Sequence, residues 1–205
     1  MVKKVKYFKY NTFGPVTLYT GRMGSGLTLG AVIQIVKASS SRNPPTIASN
    51  TTLRYLDYKQ LAVEDIESYT ESPHLFLFDS PYGKLSASRH ASRESTLWCY
   101  LFSMLRKSSS RAILTSSMGL QVFDRRIRSL VTDIMFVRSL FSRHQKLQLT
   151  HYKLLPRSVW TTIDGKKVRE RVLKWVPVAV CELKRTGRYW KYYNTLELPG
   201  KEIVQ

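Results

Sequence analysis

Between Val16 and Lys37 the chain reads VTLYTGRMGSGLTLGAVIQIVK, and its chemistry lies in three glycines, Gly21, Gly24 and Gly26, and in the hydroxyl of Thr28. Glycines at this spacing let the backbone curl with its N–H groups turned inward, and a helix opening near Leu27 brings its positive dipole end to the same spot. A polyphosphate is the ligand that such a loop fits. The full pattern is G-x-x-x-x-G-K-[ST]; GRMGSGLT supplies both outer glycines and, in Thr28, the hydroxyl that reaches Mg2+, but has Leu27 where the lysine belongs. Gly21, Arg22, Met23, Gly24, Ser25, Gly26, Leu27, Thr28 and Leu29 are therefore the candidate nucleotide-binding residues. A cation about 4 Å from a phosphate charge, at an effective dielectric near 20, contributes roughly 4 kcal/mol, so its uncompensated loss slows hydrolysis on the order of a thousandfold. Arg22 is the nearest replacement, with a fork long enough to fold over the β and γ oxygens; Arg89 and Arg93 are further alternatives.

A hydrolase built on this loop also needs a metal-holding carboxylate, a group that activates water and a group that senses the γ-phosphate. Asp79 suits the first role, because it ends the apolar run HLFLFD and so stands at the carboxyl edge of a sheet, where it joins Thr28 as a metal ligand. The other reading of Asp79 is a cap on the following turn. Ser80 follows it where an acidic base is usual, and serine accepts no proton at neutral pH. Glu94, Glu64 and Asp65 are substitutes, each set against a reading as a solvated helix face. Ser116 and Ser117 end the strand AILTS and are placed to report on the γ-phosphate or the attacking water. Arg125, Arg126 and Arg128 follow on a short helix, either as an arginine finger toward a neighbouring subunit or as a basic face on DNA phosphates.

These residues must be positioned by alternating strands and helices. Strands are expected at Val16–Thr20, Thr46–Asn50, His74–Asp79, Ala112–Ser116 and Ile134–Val137, and helices from Leu27, over Tyr58–Tyr69, Ser92–Lys107 and Phe123–Leu130. The first helix is apolar nearly all round and is expected to be buried on more than one side. On the Ser92–Lys107 helix Leu97, Tyr100, Leu101, Met104 and Leu105 form one stripe. Crossovers of roughly 30 residues and strands apolar throughout indicate an α/β core with a mostly parallel sheet flanked by helices. Residues 1–15 alternate Lys with Val, Tyr and Phe, as an edge strand or a basic arm. Beyond Arg138 alternating segments such as KLQLTHYKL and RVLKWVPVAV, with a turn at Asp164-Gly165, indicate an antiparallel β appendage. The division expected is a core at 1–138 and a basic, aromatic-rich appendage at 139–205 on the same domain.

The charge selects the partner. With 33 Lys and Arg against 14 Asp and Glu the chain carries +19, which favours a polyanion and places nucleic acid ahead of an acidic membrane surface. Cys99 and Cys181 make no C-x-x-C pair, the four histidines show no metal-ligand spacing, and a reducing interior fits. No signal-peptide core or membrane span of about 18 apolar residues is present, so the expected location is the host cytoplasm or a particle assembled there.

The order GRMGSGLT, TIASN, HLFLFDS, SASRHASRESTLWCYLFSMLRK, AILTSS, VFDRRIRSLVTDIMF and finally YYNTLEL resembles the FtsK/HerA-type P-loop ATPases that package DNA in tailless, membrane-containing icosahedral viruses, archaeal ones in particular. The likeness spans residues 16–138 with a short echo at 192–198. It implies that the loop and Asp79 bind ATP with Mg2+, that Ser117 is the polar sensor, and that Arg125 or Arg128 is the finger. It also implies a homo-oligomeric ring, usually hexameric, that threads double-stranded DNA into a procapsid at a capsid vertex; single-stranded nucleic acid is a further candidate partner. Two other readings stand beside it. One is a nucleic-acid-binding protein whose loop is a relic or a structural nucleotide site; the other is an assembly or secretion ATPase of the kind filamentous phages use, which predicts a membrane anchor.

Overall fold

In the computed structural model nine strands form one sheet in the order β1-β9-β8-β7-β2-β6-β5-β3-β4. The residues described are 2–9, 12–61, 69, 73–79, 85, 92–140, 146–163, 166–184 and 186–193, with the side chains of 94, 160, 161, 163 and 166–171 excepted. The strands are β1 (Lys3–Val5), β2 (Val16–Thr20), β3 (Thr46–Ser49), β4 (Lys59–Gln60), β5 (His74–Phe78), β6 (Arg111–Ser116), β7 (Asp133–Ser139), β8 (Lys146–Ile163) and β9 (Lys166–Lys184). The helices are α1 (Leu27–Ser39), α2 (Arg93–Met104) and α3 (Arg125–Leu130), and a 3-10 segment, Thr186–Tyr192, follows β9. No helix among the described residues is long and apolar enough to cross a membrane.

From β7 to β4 the sheet is parallel throughout, which is why β5, HLFLF, is buried at every position and reads as an unbroken apolar run. Two cores lie on opposite faces. One gathers α1 with Tyr19, Met135, Val137, Leu147 and Leu149; the other gathers α2 and α3 with Leu18, Phe76, Phe78 and Leu114. α1 is buried from Leu29 through Ile35 because the sheet holds one side and the Thr186–Tyr192 segment packs on another.

Two expectations change and one open alternative is resolved. Lys59–Gln60 lie in an edge strand beside Ala48–Ser49, with Leu61 N–H donating to the Ser49 carbonyl (2.9 Å), so the helix expected from Tyr58 does not begin there; residues 62–68 lie outside the described set. The buried face of α2 is rotated from the expected stripe: Trp98, Leu101, Phe102 and Leu105 are inside and Tyr100 is out. Phe78 is the cause, since Trp98 and Phe102 both meet its ring edge-on at 5.0 and 5.2 Å. Residues 3–5 take the edge-strand option, pairing in parallel with β9.

The C-terminal antiparallel pair continues the core sheet: β8 pairs with β7 from Leu147 to Lys153. Beyond that point, among the described residues, Leu154–Ile163 and Lys166–Trp175 are registered only on one another. Because β8 runs opposite to β7 and passes its first residue, Asp133, this stretch leaves the sheet at its amino edge. The pairings His151 with Ala179 and Tyr152 with Pro177 leave Val178 as a bulge at the point of departure. Ten residues of strand reach about 33 Å.

Near the same edge, buried His151 Nε2 meets Asp133 Oδ1 at 2.6 Å, and Gly14 N–H donates to Asp133 Oδ2 at 2.6 Å. Phe8 and Phe13 stand edge-on to the imidazole, at 5.7 and 5.1 Å, so this pair ties the segment before β2 to the sheet. Burial pushes the Asp133 carboxyl up, but hydrogen bonds from His151, Gly14 and Thr132 outweigh it and hold the carboxyl below its usual range. A carboxyl lowered in the folded state contributes stability above its unfolded pKa of about 3.9, and that stability is lost as pH falls through the folded value. Asp133→Asn is expected to cost about 3 kcal/mol in urea unfolding at pH 7, with the gap from the wild type narrowing below about pH 4. A pH-independent gap would contradict the assignment.

Candidate nucleotide-binding site

The loop between β2 and α1 is shaped by its glycines. Gly24 and Gly26 have φ of 74° and 86°, a region other residues enter only under strain, and Gly26 turns the chain directly into α1. Gly21 is fixed by close approach: a Cβ there would lie 2.3 Å from the Val137 carbonyl oxygen. Ser25 N–H donates to the Arg22 carbonyl (3.0 Å), closing a turn at the tip. At the start of α1 no side chain caps the helix and no acidic residue occupies the first turn, so its positive end is left to a ligand. Ser25 Oγ is buried with no hydrogen-bond partner among the described residues.

Thr28 projects from that first turn, and its hydroxyl donates to both carboxylate oxygens of Asp79 at 3.1 Å. Asp79 follows β5. Since β6 lies between β5 and β2, its penultimate residue Thr115 also reaches the carboxylate and donates to Oδ1 at 2.5 Å. The Asp79 backbone is held by Asn50, which follows β3: Asp79 N–H donates to Asn50 Oδ1 (2.7 Å) and Asn50 Nδ2 donates to the Asp79 carbonyl (3.0 Å). Burial raises the Asp79 carboxyl above its usual range despite the hydroxyls of Thr115 and Thr28, which pull it down. Tyr193, next to the Thr186–Tyr192 segment, bridges to Leu53; burial, and then the charge of Asp79, push its phenol up to about 12.

This oxygen set fits a hard divalent cation: a carboxylate and a hydroxyl on one spot, beside an orphaned hydroxyl and an uncapped helix end. Thr28 and Asp79 are the residues that would hold Mg2+, and Gly21–Leu29 would hold the phosphates. Leu27 offers no charge, since its side chain packs against the α1 core, 3.4 Å from where a Gly21 Cβ would stand. A cavity of about 580 Å³ opens beside the loop, lined by Arg22, Met23, Gly24, Ser25 and the end of β7, Phe136–Ser139. It holds Arg22 and also Arg138, which alternation along β7 turns outward with Phe136 while Met135 and Val137 face the core.

The structure thus brings Gly21–Leu29 and Asp79 together, and adds Asn50, Thr115, Arg138 and Tyr193. Asn50, Thr115 and Tyr193 lie within the segments TIASN, AILTSS and YYNTLEL that carry the resemblance, but were not singled out; Arg138 had no sequence signal. At the end of β6 it is Thr115 that touches Asp79, while Ser116 is used within its own turn, donating to the Gly119 carbonyl (3.0 Å) and accepting from Met118 N–H (3.2 Å). Ser117 is half-buried in that turn. Arg125 and Arg128 are exposed on α3, whereas Arg126 folds back on the helix cap Asp124 at 3.0 Å. Arg93 is exposed at the start of α2, and Glu94 follows it there, with its side chain outside the description. Glu64, Asp65, Ser80 and Arg89 lie outside the described residues.

Compared with solved structures, the chain is similar to the N-terminal domain of zonular occludens toxin from Neisseria meningitidis, with a TM-score of 0.54 and 16% identity over 89% of this chain and 100% of that domain. The fold is that of a P-loop nucleoside triphosphatase. Its structural neighbours also include the genome packaging NTPase B204 from Sulfolobus turreted icosahedral virus 2, in complex with AMPPCP (TM-score 0.47, 7% identity, 68% of this chain and 92% of that one). Another is the cytoplasmic domain of the Type VII secretion ATPase EccC from Thermomonospora curvata (TM-score 0.47, 11% identity, 82% of this chain and 25% of that one). The chain matches no protein-family model and no curated protein sequence.

Thr115→Val keeps the shape and removes one hydrogen bond that favours ionised Asp79, so the carboxyl rises further. It then protonates at a higher pH on acidification, and the acid limb of Mg2+-dependent binding of a fluorescent ATP analogue is expected to move to higher pH. An unmoved limb would separate Thr115 from the site.

Proposed function

We propose that the chain binds ATP with Mg2+ at the β2–α1 loop and hydrolyses it to move double-stranded DNA, as a packaging motor of a viral procapsid. The observation that carries the nucleotide half is the Thr28 hydroxyl on the Asp79 carboxylate, at 3.1 Å, beneath a glycine loop with an uncapped helix end. The DNA half is supported by the charge of +19. In this reading residues 1–138 are the motor core and 139–205 the appendage, and the working form is a homo-oligomeric ring, hexameric by the resemblance, seated at a capsid vertex.

Bound Mg-ATP would supply a polarised γ-phosphate. The chain supplies the rest: backbone N–H groups of the loop orient the phosphates, Thr28 and Asp79 fix the metal, and Ser117 reports on the γ end. Arg22 takes the part of the missing lysine, with Arg138 lining the same cavity. Glu94 is the candidate that activates water, and Arg125 or Arg128, both exposed on α3, is the candidate finger toward a neighbouring subunit's nucleotide. Leu27, packed against the core, favours a second reading, a nucleic-acid-binding protein that retains the loop as a structural nucleotide site.

Steady-state ATP turnover with and without duplex DNA separates the two. The motor reading expects Mg2+-dependent turnover stimulated by DNA and abolished in Asp79→Asn. It also expects a fall of up to about a thousandfold in Arg22→Ala, with a smaller one in Arg138→Ala. No turnover under any metal, pH or temperature, with ATP binding retained, leaves the second reading.

A further inference from the structure

The two-stranded ribbon that leaves the amino edge has no role in the site just described, which lies at the carboxyl edge. Its composition is one-sided: between Leu154 and Val176 there are six Lys and Arg against two Asp and Glu. Cross-strand partners share a face, so register sorts these charges. Backbone register assigns the pairs Ser158–Arg171, Trp160–Arg169 and Thr162–Lys167 to one face of the ribbon. The other carries Leu155–Lys174, Arg157–Val172 and Ile163–Lys166, with Glu170 opposite Val159. By register, three Lys or Arg positions fall on each face along a ribbon about 33 Å long.

From this arrangement we infer that the β8–β9 ribbon is a duplex-DNA contact that enters a groove and meets the phosphates of both its walls. A major groove about 12 Å wide admits a two-stranded ribbon, and its walls are phosphate backbones on opposite sides. Cations on both faces answer both walls at once, whereas one single strand can engage only one face. Ser158 and Thr162, on the strand opposite, are further donors for phosphate and sugar. Basic residues also keep the edges of a ribbon from pairing with other sheets, and that purpose alone requires no DNA. The inference rests on the DNA-handling half of the proposed function and not on hydrolysis.

The test uses the full chain and a fluorescent 30-base-pair duplex, followed by anisotropy across a salt series. The triple variant Lys167→Gln, Arg169→Gln, Arg171→Gln is expected to flatten the slope of log K against log salt by about 2 to 3, at roughly 0.9 for each phosphate no longer neutralised. Affinity in about 0.1 M salt should fall at least tenfold, while binding of the fluorescent ATP analogue is unchanged. The swap Lys167→Arg, Arg169→Lys, Arg171→Lys should keep the wild-type slope, which separates charge from ribbon folding. Lys59→Gln, Arg106→Gln, Lys107→Gln removes the same charge from exposed positions off the ribbon. If that control lowers affinity as much as the ribbon triple, or if the ribbon triple binds as the wild type does, the inference is overturned. An equal loss for a single strand of the same sequence overturns the two-walled groove. A wild type that binds no duplex overturns the DNA half of the proposed function itself, whatever its ATP turnover.

Discussion

A carboxylate withdrawn from water at the end of an apolar strand is costly unless its oxygens are met, and Asp79 is met from three directions. Thr28 comes from the loop side, Thr115 from the strand between, and Asn50 holds the peptide on which the side chain turns. Each partner sits on a different element, so the geometry exists only when β3, β5, β6 and α1 are assembled in order. The hydroxyls do not fully offset the burial, because the carboxyl remains raised. A site that holds a negative charge at a deficit gains by receiving a divalent cation, which is the condition under which Mg2+ binding and nucleotide binding reinforce each other.

In the proposed reading the loop above that carboxylate has to attract some three to four phosphate charges without an ammonium at Leu27. Its attraction would then come from backbone amides, from the helix end, and from Arg22 in the turn and Arg138 on β7. Arginine is suited to this, since a planar fork on a long stem spans from an exposed root to two phosphate oxygens, which a lysine at the same root meets only as a point charge. The cost is order: Arg22 is exposed, so gripping a ligand must restrain a side chain that the fold leaves mobile in water. Leu27, in exchange, adds apolar packing beneath Gly21.

How much of this the sequence disclosed depended on whether the signal was local. The parallel strands were legible within a residue or two because strands buried on both faces read as apolar runs, and the loop was legible because its glycines are needed by local backbone geometry. Lys59–Gln60 misled, since a two-residue edge strand has no period of its own and exists only through β3. Thr115 was passed over for Ser116 and Ser117 because a hydroxyl's direction along a strand depends on which face the neighbouring carboxylate occupies. Arg138 and Tyr193 reach the site through β7 and the C-terminal segment, contacts that only the tertiary fold makes. The α2 stripe was displaced by Phe78, a ring on a different element. The ribbon's alternation was visible, but not the register at which β7 ends and the pair continues alone.

The two ends of the sheet are therefore chemically unlike, and the difference follows from chain direction. Parallel strands put every strand-to-helix turn of the core on one edge, so glycines, hydroxyls and Asp79 collect there. The antiparallel β8 must run past the other edge, and what it carries there is a doubled strand rich in cations. An anion bound at the first edge and a polyanion at the second are thus separated by the length of the strands, too far for direct electrostatic coupling at physiological ionic strength. Any linkage between them must pass through the sheet. β7 is the strand placed to carry it, because its last residues line the cavity beside the loop and its first, Asp133, is locked to His151 where the ribbon departs. A shift of β7 along its neighbours would move both ends together, whereas a shift of β5 would disturb only the carboxylate.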